Sequence, residues 1–116
     1  MGGKEGKMAR IRANNSSGGG DGGGYATTIS NYTSGTTIDC PFAFSEVLCA
    51  FRRNNNAEHT HYKIGDAKQK YYTGSNVNEL TIGQATWTGI ISEIGADNKS
   101  IKMAGTLVDL YVFFVK

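Results

Sequence analysis

The chain reads as an all-β protein, an antiparallel β-sandwich or jelly-roll-like domain over residues 25–116, preceded by an extended glycine-rich arm over residues 1–24. Three observations predict this class. Glycine is abundant and proline nearly absent, 16 residues against one in 116, and the helix formers Ala, Leu and Glu are sparse beside Thr, Ser and Asn, a balance that favours strands and turns. Past residue 24, short β-branched and aromatic runs alternate with turn residues at regular intervals, as in a fold of many short strands. Nine of the glycines fall within residues 1–24, where nothing is apolar enough to make a core. A chain of this length has room for one domain, and so small a domain buries a reduced fraction of its surface.

The elements follow in order. Ser16-Ser17-Gly18-Gly19-Gly20-Asp21-Gly22-Gly23-Gly24 is a tether, with Gly18, Gly19, Gly20, Gly22, Gly23 and Gly24 as its hinge. Before it, Met8 to Asn15 mixes basic and apolar residues, and Met8 offers a second start position. Strands are expected near 25–32, 36–40, 44–52, 60–64, 69–73, 78–83, 86–94, 99–103 and 106–115. Between them lie Thr33-Ser34-Gly35, Arg53-Asn54-Asn55-Asn56, Gly65-Asp66, Gly74-Ser75-Asn76, Gly95-Ala96-Asp97-Asn98 and Ala104-Gly105, all rich in residues that suit turns. In 44–51, alternation sets Val47, Cys49 and Phe51 against Phe44, Leu48 and Ala50. In the last strand it sets Leu107, Tyr111, Phe113 and Val115 against Val108, Leu110, Val112 and Phe114. Both faces are mostly apolar, whereas a two-sheet sandwich leaves one face polar. A further layer or a second subunit is therefore expected over the last strand, with a homo-oligomer favoured.

The formal net charge is +2, and it resides in the arm. Lys4, Lys7, Arg10 and Arg12 stand there against Glu5 and Asp21, and the remaining charges cancel. A neutral domain without a basic stripe argues against a nucleic-acid partner. Cys40 and Cys49 make no disulfide framework; buried free thiols are the expected state, with a bridge between strands the other arrangement. No segment approaches the roughly 18 apolar residues of a membrane span, and the N-terminus lacks the apolar stretch of a signal peptide. Met1-Gly2-Gly3 fails as a myristoylation signal because Gly6 stands where Ser or Thr is required. The expectation is a protein made soluble inside the cell that synthesises it, without a membrane partner.

Chemistry-bearing patterns are few. His59-Thr60-His61 places two imidazoles on one face of a strand, about 7 Å apart. One such pair cannot complete a metal's shell, although three copies about a threefold axis would offer six nitrogens; no metal or other cofactor is expected. A Cys–His nucleophile would need Cys40 or Cys49 beside His59 or His61, but Cys40 precedes Pro41 and Cys49 sits in an apolar run that disfavours its thiolate. Paired carboxylates for glycoside hydrolysis would have to come from Asp39, Glu46, Glu58, Asp66, Glu79, Glu93, Asp97 and Asp109, most of which are expected at turns or on exposed strand faces, where acidic residues ordinarily just solvate. Asp109 interrupts an apolar strand, and Arg52 or Arg53 would partner it if it were buried. The glycine runs lack the Lys-Ser/Thr of a phosphate loop and any strand before them. No enzyme is expected. Tyr71, Tyr72 and Trp87, with Tyr62 and Tyr32, supply aromatic faces near loops rich in Asn, Thr and Ser, a composition suited to a glycan site, against which stands plain packing of the sandwich.

Ala9-Arg10-Ile11-Arg12-Ala13-Asn14-Asn15-Ser16-Ser17-Gly18-Gly19-Gly20 resembles the N-termini of small minor structural proteins of tailed bacteriophages, in which an Arg/Asn-containing peptide and a polyglycine hinge lead into a compact β domain. The resemblance covers about a dozen residues, and polyglycine is of low complexity. His-x-His pairs likewise occur in trimeric phage tail fibres. The resemblance implies a virion protein of tail, baseplate or head surface, assembled in the host cytoplasm. Arg10, Ile11, Arg12 and Asn14 would dock on other virion proteins, Arg10 and Arg12 against carboxylates and Ile11 in an apolar pocket. The domain would decorate the surface or contact the host. The alternative is a glycan-binding, host-adsorption module whose arm is a spacer.

Overall fold

The computed structural model describes residues 23–53, 55–83 and 86–116. The docking residues Arg10, Ile11, Arg12 and Asn14 and the hinge residues Gly18, Gly19, Gly20 and Gly22 lie outside the described residues. Among the described residues the chain forms nine strands and no helix: β1 (Gly24–Tyr32), β2 (Thr37–Asp39), β3 (Glu46–Arg53), β4 (Asn56–Lys63), β5 (Gln69–Thr73), β6 (Asn76–Leu80), β7 (Ile91–Ile94), β8 (Ser100–Met103) and β9 (Leu107–Val115). They build a six-stranded sheet in the order β1-β9-β3-β4-β5-β6 and a three-stranded sheet in the order β2-β8-β7. All pairings are antiparallel. The expected all-β sandwich is realised, with sheets of unequal size.

The core lies between the small sheet and the inner face of the large one. Val47, Cys49 and Phe51 of β3, Leu110, Val112 and Phe114 of β9, and Ile38, Ile91, Ile101 and Met103 of the small sheet are all buried. Three polar contacts fasten the layers together. The Gln69 side-chain amide on β5 donates to the Ile91 carbonyl (2.8 Å) and accepts from the Ile91 N–H (2.7 Å). The Tyr32 hydroxyl accepts from the Met103 N–H (2.9 Å) and donates to the Thr36 carbonyl (2.5 Å). The Thr60 hydroxyl donates to the Gly89 carbonyl (2.7 Å). Such groups tolerate burial because each donor and acceptor finds a partner.

Several expected boundaries move. β4 begins at Asn56 rather than near residue 60, because Asn55 takes φ 69°, a conformation Asn tolerates. The chain thereby turns back at once, and Arg53 pairs with Asn56. Residues 86–90 form a loop instead of the first half of a strand, closed by bonds from Gly89 N to the Ala104 carbonyl and from Ala104 N to the Ile90 carbonyl. Phe44 precedes β3 and is buried against Phe114 (ring centroids 5.0 Å apart), not aligned outward with Leu48. Gly24, read as hinge, is strand residue opposite Val115, and Gly23 accepts from the Lys116 N–H (2.8 Å).

The last strand also differs in phase. Asn31 takes φ 57°, and there β1 and β9 exchange faces together, so Tyr32 and its partner Leu107 turn inward. Leu107 thus joins Leu110, Val112 and Phe114 in the core, while Val108 is exposed. Asp109 is exposed on the outer face, so it needs no buried partner. Arg53 pairs with Glu58 instead.

Candidate functional site

Two surfaces stand out, one on each side of the large sheet. The first is its outer face, which no described residue covers. Register places Thr28, Tyr111, Ala50, His59, Tyr72 and Val77 in one row across all six strands. The adjacent row is Ala26, Phe113, Leu48, His61, Lys70 and Glu79. Leu48, Val77, Tyr111 and Phe113 are exposed, and a shallow depression of about 370 Å³ lies between Tyr111, Leu48, Arg52 and His59. The expected cover over the last strand is therefore not supplied within the described residues.

His59 and His61 do share this face, and each has a neighbour. The His59 ring stacks on Tyr72 at 4.4 Å and 13°. His61 Nε2 lies 2.5 Å from Glu46 Oε2. Among the described residues no group of three or more His, Cys, Asp or Glu side chains is arranged to hold a metal ion. Both cysteines are buried and free. Burial pushes the Cys40 thiol up to about 11, and full burial raises Cys49 as well, so neither favours a thiolate. Cys49 moreover faces the core while His59 and His61 face out, across one sheet.

The second surface is a polar cleft of about 530 Å³ at the far end of the inner face, lined by Arg53, Tyr71, Thr73, Asn78, Thr86 and Trp87. Its floor is built by packing. Phe51 stacks on Tyr71 at 6.2 Å and 17°, and Trp87 meets Tyr71 edge-on at 6.1 Å. Gly89 is required two residues beyond Trp87: its φ is 97°, and a Cβ there would lie 2.1 Å from the Phe51 ring. With its carbonyl held by Thr60, this glycine fixes the loop that presents Trp87, which is 49% exposed.

Glu58 is buried beneath the cleft, against the expectation of an exposed carboxylate. One oxygen, Oε1, accepts from the Tyr71 hydroxyl (2.6 Å) and from Arg53 Nε (3.1 Å). Burial first, then the bond to Glu58 and its charge, pushes the Tyr71 phenol up to about 12. Of the three aromatics read as a possible glycan set, Tyr71 and Trp87 come together here, with Tyr71 itself mostly covered. Tyr72 points to the opposite face, as alternation requires of consecutive strand residues. Arg53, Glu58 and Asn78 were missed by sequence reasoning. The signal that would have found the first two is Asn55, whose positive φ turns the chain so that Arg53 pairs with Asn56 and the strand bearing Glu58 runs back beside it.

Comparison of the chain with protein families, with curated proteins and with solved structures found no match.

Proposed function

We propose that this chain is a non-enzymatic structural protein of a bacteriophage virion, associated with tail, baseplate or head surface. Its outer sheet face pairs with a second copy of the chain, and residues 1–24 dock on neighbouring virion chains. The observation that carries the reading is the uncovered apolar face, with Leu48, Tyr111 and Phe113 exposed on adjacent central strands. Contiguous apolar surface of this kind marks an interaction site. Self-pairing suits its charges: Arg52, Lys63 and Lys70 are interspersed with Glu46, Glu79 and Asp109 on the same side of the sheet, so two copies meet without net repulsion.

Magnitude supports the sheet face as the interface. Its six strands hold 9, 9, 8, 8, 5 and 5 residues, which at roughly 3.3 Å per residue and about 4.8 Å between strands offer a flat footprint of roughly 700 Å². A stable interface buries about 800 Å² per partner, so the sheet face comes close to that on its own. The arm joins β1 at Gly24, beside the Phe113 ring, at the margin of the same face.

The test compares the full chain with a deletion of residues 1–22, which spares the sheet residues Gly23 and Gly24, and with a Tyr111→Lys/Phe113→Lys double variant. Sedimentation reports oligomeric state, and mass spectrometry of purified particles reports incorporation. The reading expects an oligomer that the double variant reduces to folded monomers, and particle incorporation that the deletion abolishes. A full chain that stays monomeric at high concentration and is absent from particles overturns it.

A further inference from the structure

We propose that the Trp87 cleft is a binding site for a neutral saccharide, a property separate from docking because the cleft and the apolar face lie on opposite sides of the large sheet.

The argument begins with Trp87. A large aromatic ring normally gains by burial, yet this one is held half in solvent by a loop that cannot relax easily. Gly89 is locked between the Phe51 ring and the Thr60 hydroxyl, and Ile90, next in the chain, is fully buried. The Trp87 and Tyr71 rings meet at 69°, and with about half of Trp87 exposed part of the indole is open where it lines the cleft. A flat apolar plane beside polar groups suits one ligand class well. A pyranose carries C–H groups on its faces and hydroxyls around its rim.

The polar groups are of the right kind. Arg53 uses Nε on Glu58, which orients the guanidinium and leaves its other N–H groups as a planar donor fork. The Asn78 amide both donates and accepts, as do the hydroxyls of Thr73 and Thr86. All of these line the cleft with Trp87, and together they match hydroxyls that also donate and accept. The charge balance selects against acidic sugars and phosphates. Among the described residues Arg53 is the only charged one lining the cleft, and its partner Glu58 carries the opposite charge. The volume of about 530 Å³ lies within the roughly 300–1,000 Å³ of small-molecule sites, enough for a short oligosaccharide in an open groove.

Trp87 is the only tryptophan of the chain, so its fluorescence reports on the cleft directly. The full chain is titrated to millimolar concentration with the linear trisaccharides of glucose, galactose, mannose and N-acetylglucosamine. Trisaccharides ending in glucuronic or sialic acid are titrated in parallel. A saturable change in Trp87 emission with at least one neutral probe is expected. Calorimetry on Trp87→Ala and Asn78→Ala should show binding weakened at least tenfold in the first and severalfold in the second. Trp87→Tyr should recover part of the loss, and Tyr111→Lys/Phe113→Lys should bind as the parent does. Silence with every neutral probe, binding of the acidic probes alone, or affinity that survives Trp87→Ala each overturns the proposal. None of these outcomes bears on oligomeric state, so the docking reading stands or falls separately.

Discussion

Phe113 and Phe114 are chemically identical neighbours on β9, and they sit in opposite worlds. Phe114 is fully buried, packed on Phe44 and stacked with Tyr25 at 6.3 Å, whereas Phe113 is 44% exposed in the row that includes Leu48. The same contrast runs through Val112 and Tyr111. Among the described residues, a six-stranded sheet opposed by three strands has one face covered and one face bare. The apolar residues of the inner face stabilise the fold; those of the outer face contribute little to it and are available for association.

Truncation should separate the two faces. Phe114→Ala removes a fully enclosed ring and is expected to lose about 3–5 kcal/mol, a large share of the roughly 5–15 kcal/mol that stabilises a domain. Phe113→Ala should lose less than about 1 kcal/mol in dilute solution, as exposed substitutions do, while lowering the association constant. Urea denaturation at low protein concentration measures the first pair of values and sedimentation the second. Equal losses from the two substitutions would remove the distinction between the faces.

The cleft should respond at the next level down. Gly89→Ala places a methyl group against the Phe51 ring and forces Ala into a positive φ, so about 2–4 kcal/mol is expected from overpacking and backbone strain together. Gly35, where the space is open, incurs only the backbone part. A Gly89→Ala loss no greater than that of Gly35→Ala would show that Phe51 yields freely and that the Trp87 loop is not held as described.

Tyr71→Phe is a milder change. It removes the donor to Glu58 and should lose about 1–3 kcal/mol, since the buried carboxylate is left with Arg53 alone. The pH dependence has a definite sign. The folded protein holds the Tyr71 proton more tightly than the unfolded chain, with the phenol raised from 10.0 to about 12. The associated stabilisation is therefore complete below about pH 10 and declines as pH rises through 12. Stability measured from pH 9 to 12 should fall more steeply in the parent than in Tyr71→Phe.

Much of the architecture was legible in the sequence because its signals are local. Turn residues punctuate nearly every strand, and period-two alternation placed Val47, Cys49 and Phe51 on one face correctly. What escaped depends on backbone conformations that no composition signals. Asn31 in a left-handed conformation reverses the phase of two strands at once, which is why Leu107 joins Leu110 rather than Tyr111. The tight turn at Asn55 decides that Arg53 and Glu58 meet. The cleft was half legible: Trp87 and Tyr71 were singled out as aromatics near polar loops, but their separation from Tyr72 needed the strand register. Arg53, Glu58 and Asn78 carry no motif, and they converge only once β3 to β6 are paired.

The smallest effect expected is also the one most sensitive to which face is covered. His61 and Glu46 form a partly exposed pair on the outer face, about a third of each side chain accessible. In a monomer an exposed contact of this kind contributes about 0–1 kcal/mol. A double-mutant cycle with His61→Gln and Glu46→Gln at low protein concentration should return a coupling of that size. If a second copy seats on the face, water is excluded from the same two groups. Their interaction then strengthens, because removing one partner leaves the other a polar group that is desolvated and unpaired. Repeating the cycle at a concentration where the chain associates should therefore raise the coupling severalfold. A coupling unchanged across that range would place the contact between copies somewhere other than the row containing Leu48, His61 and Phe113.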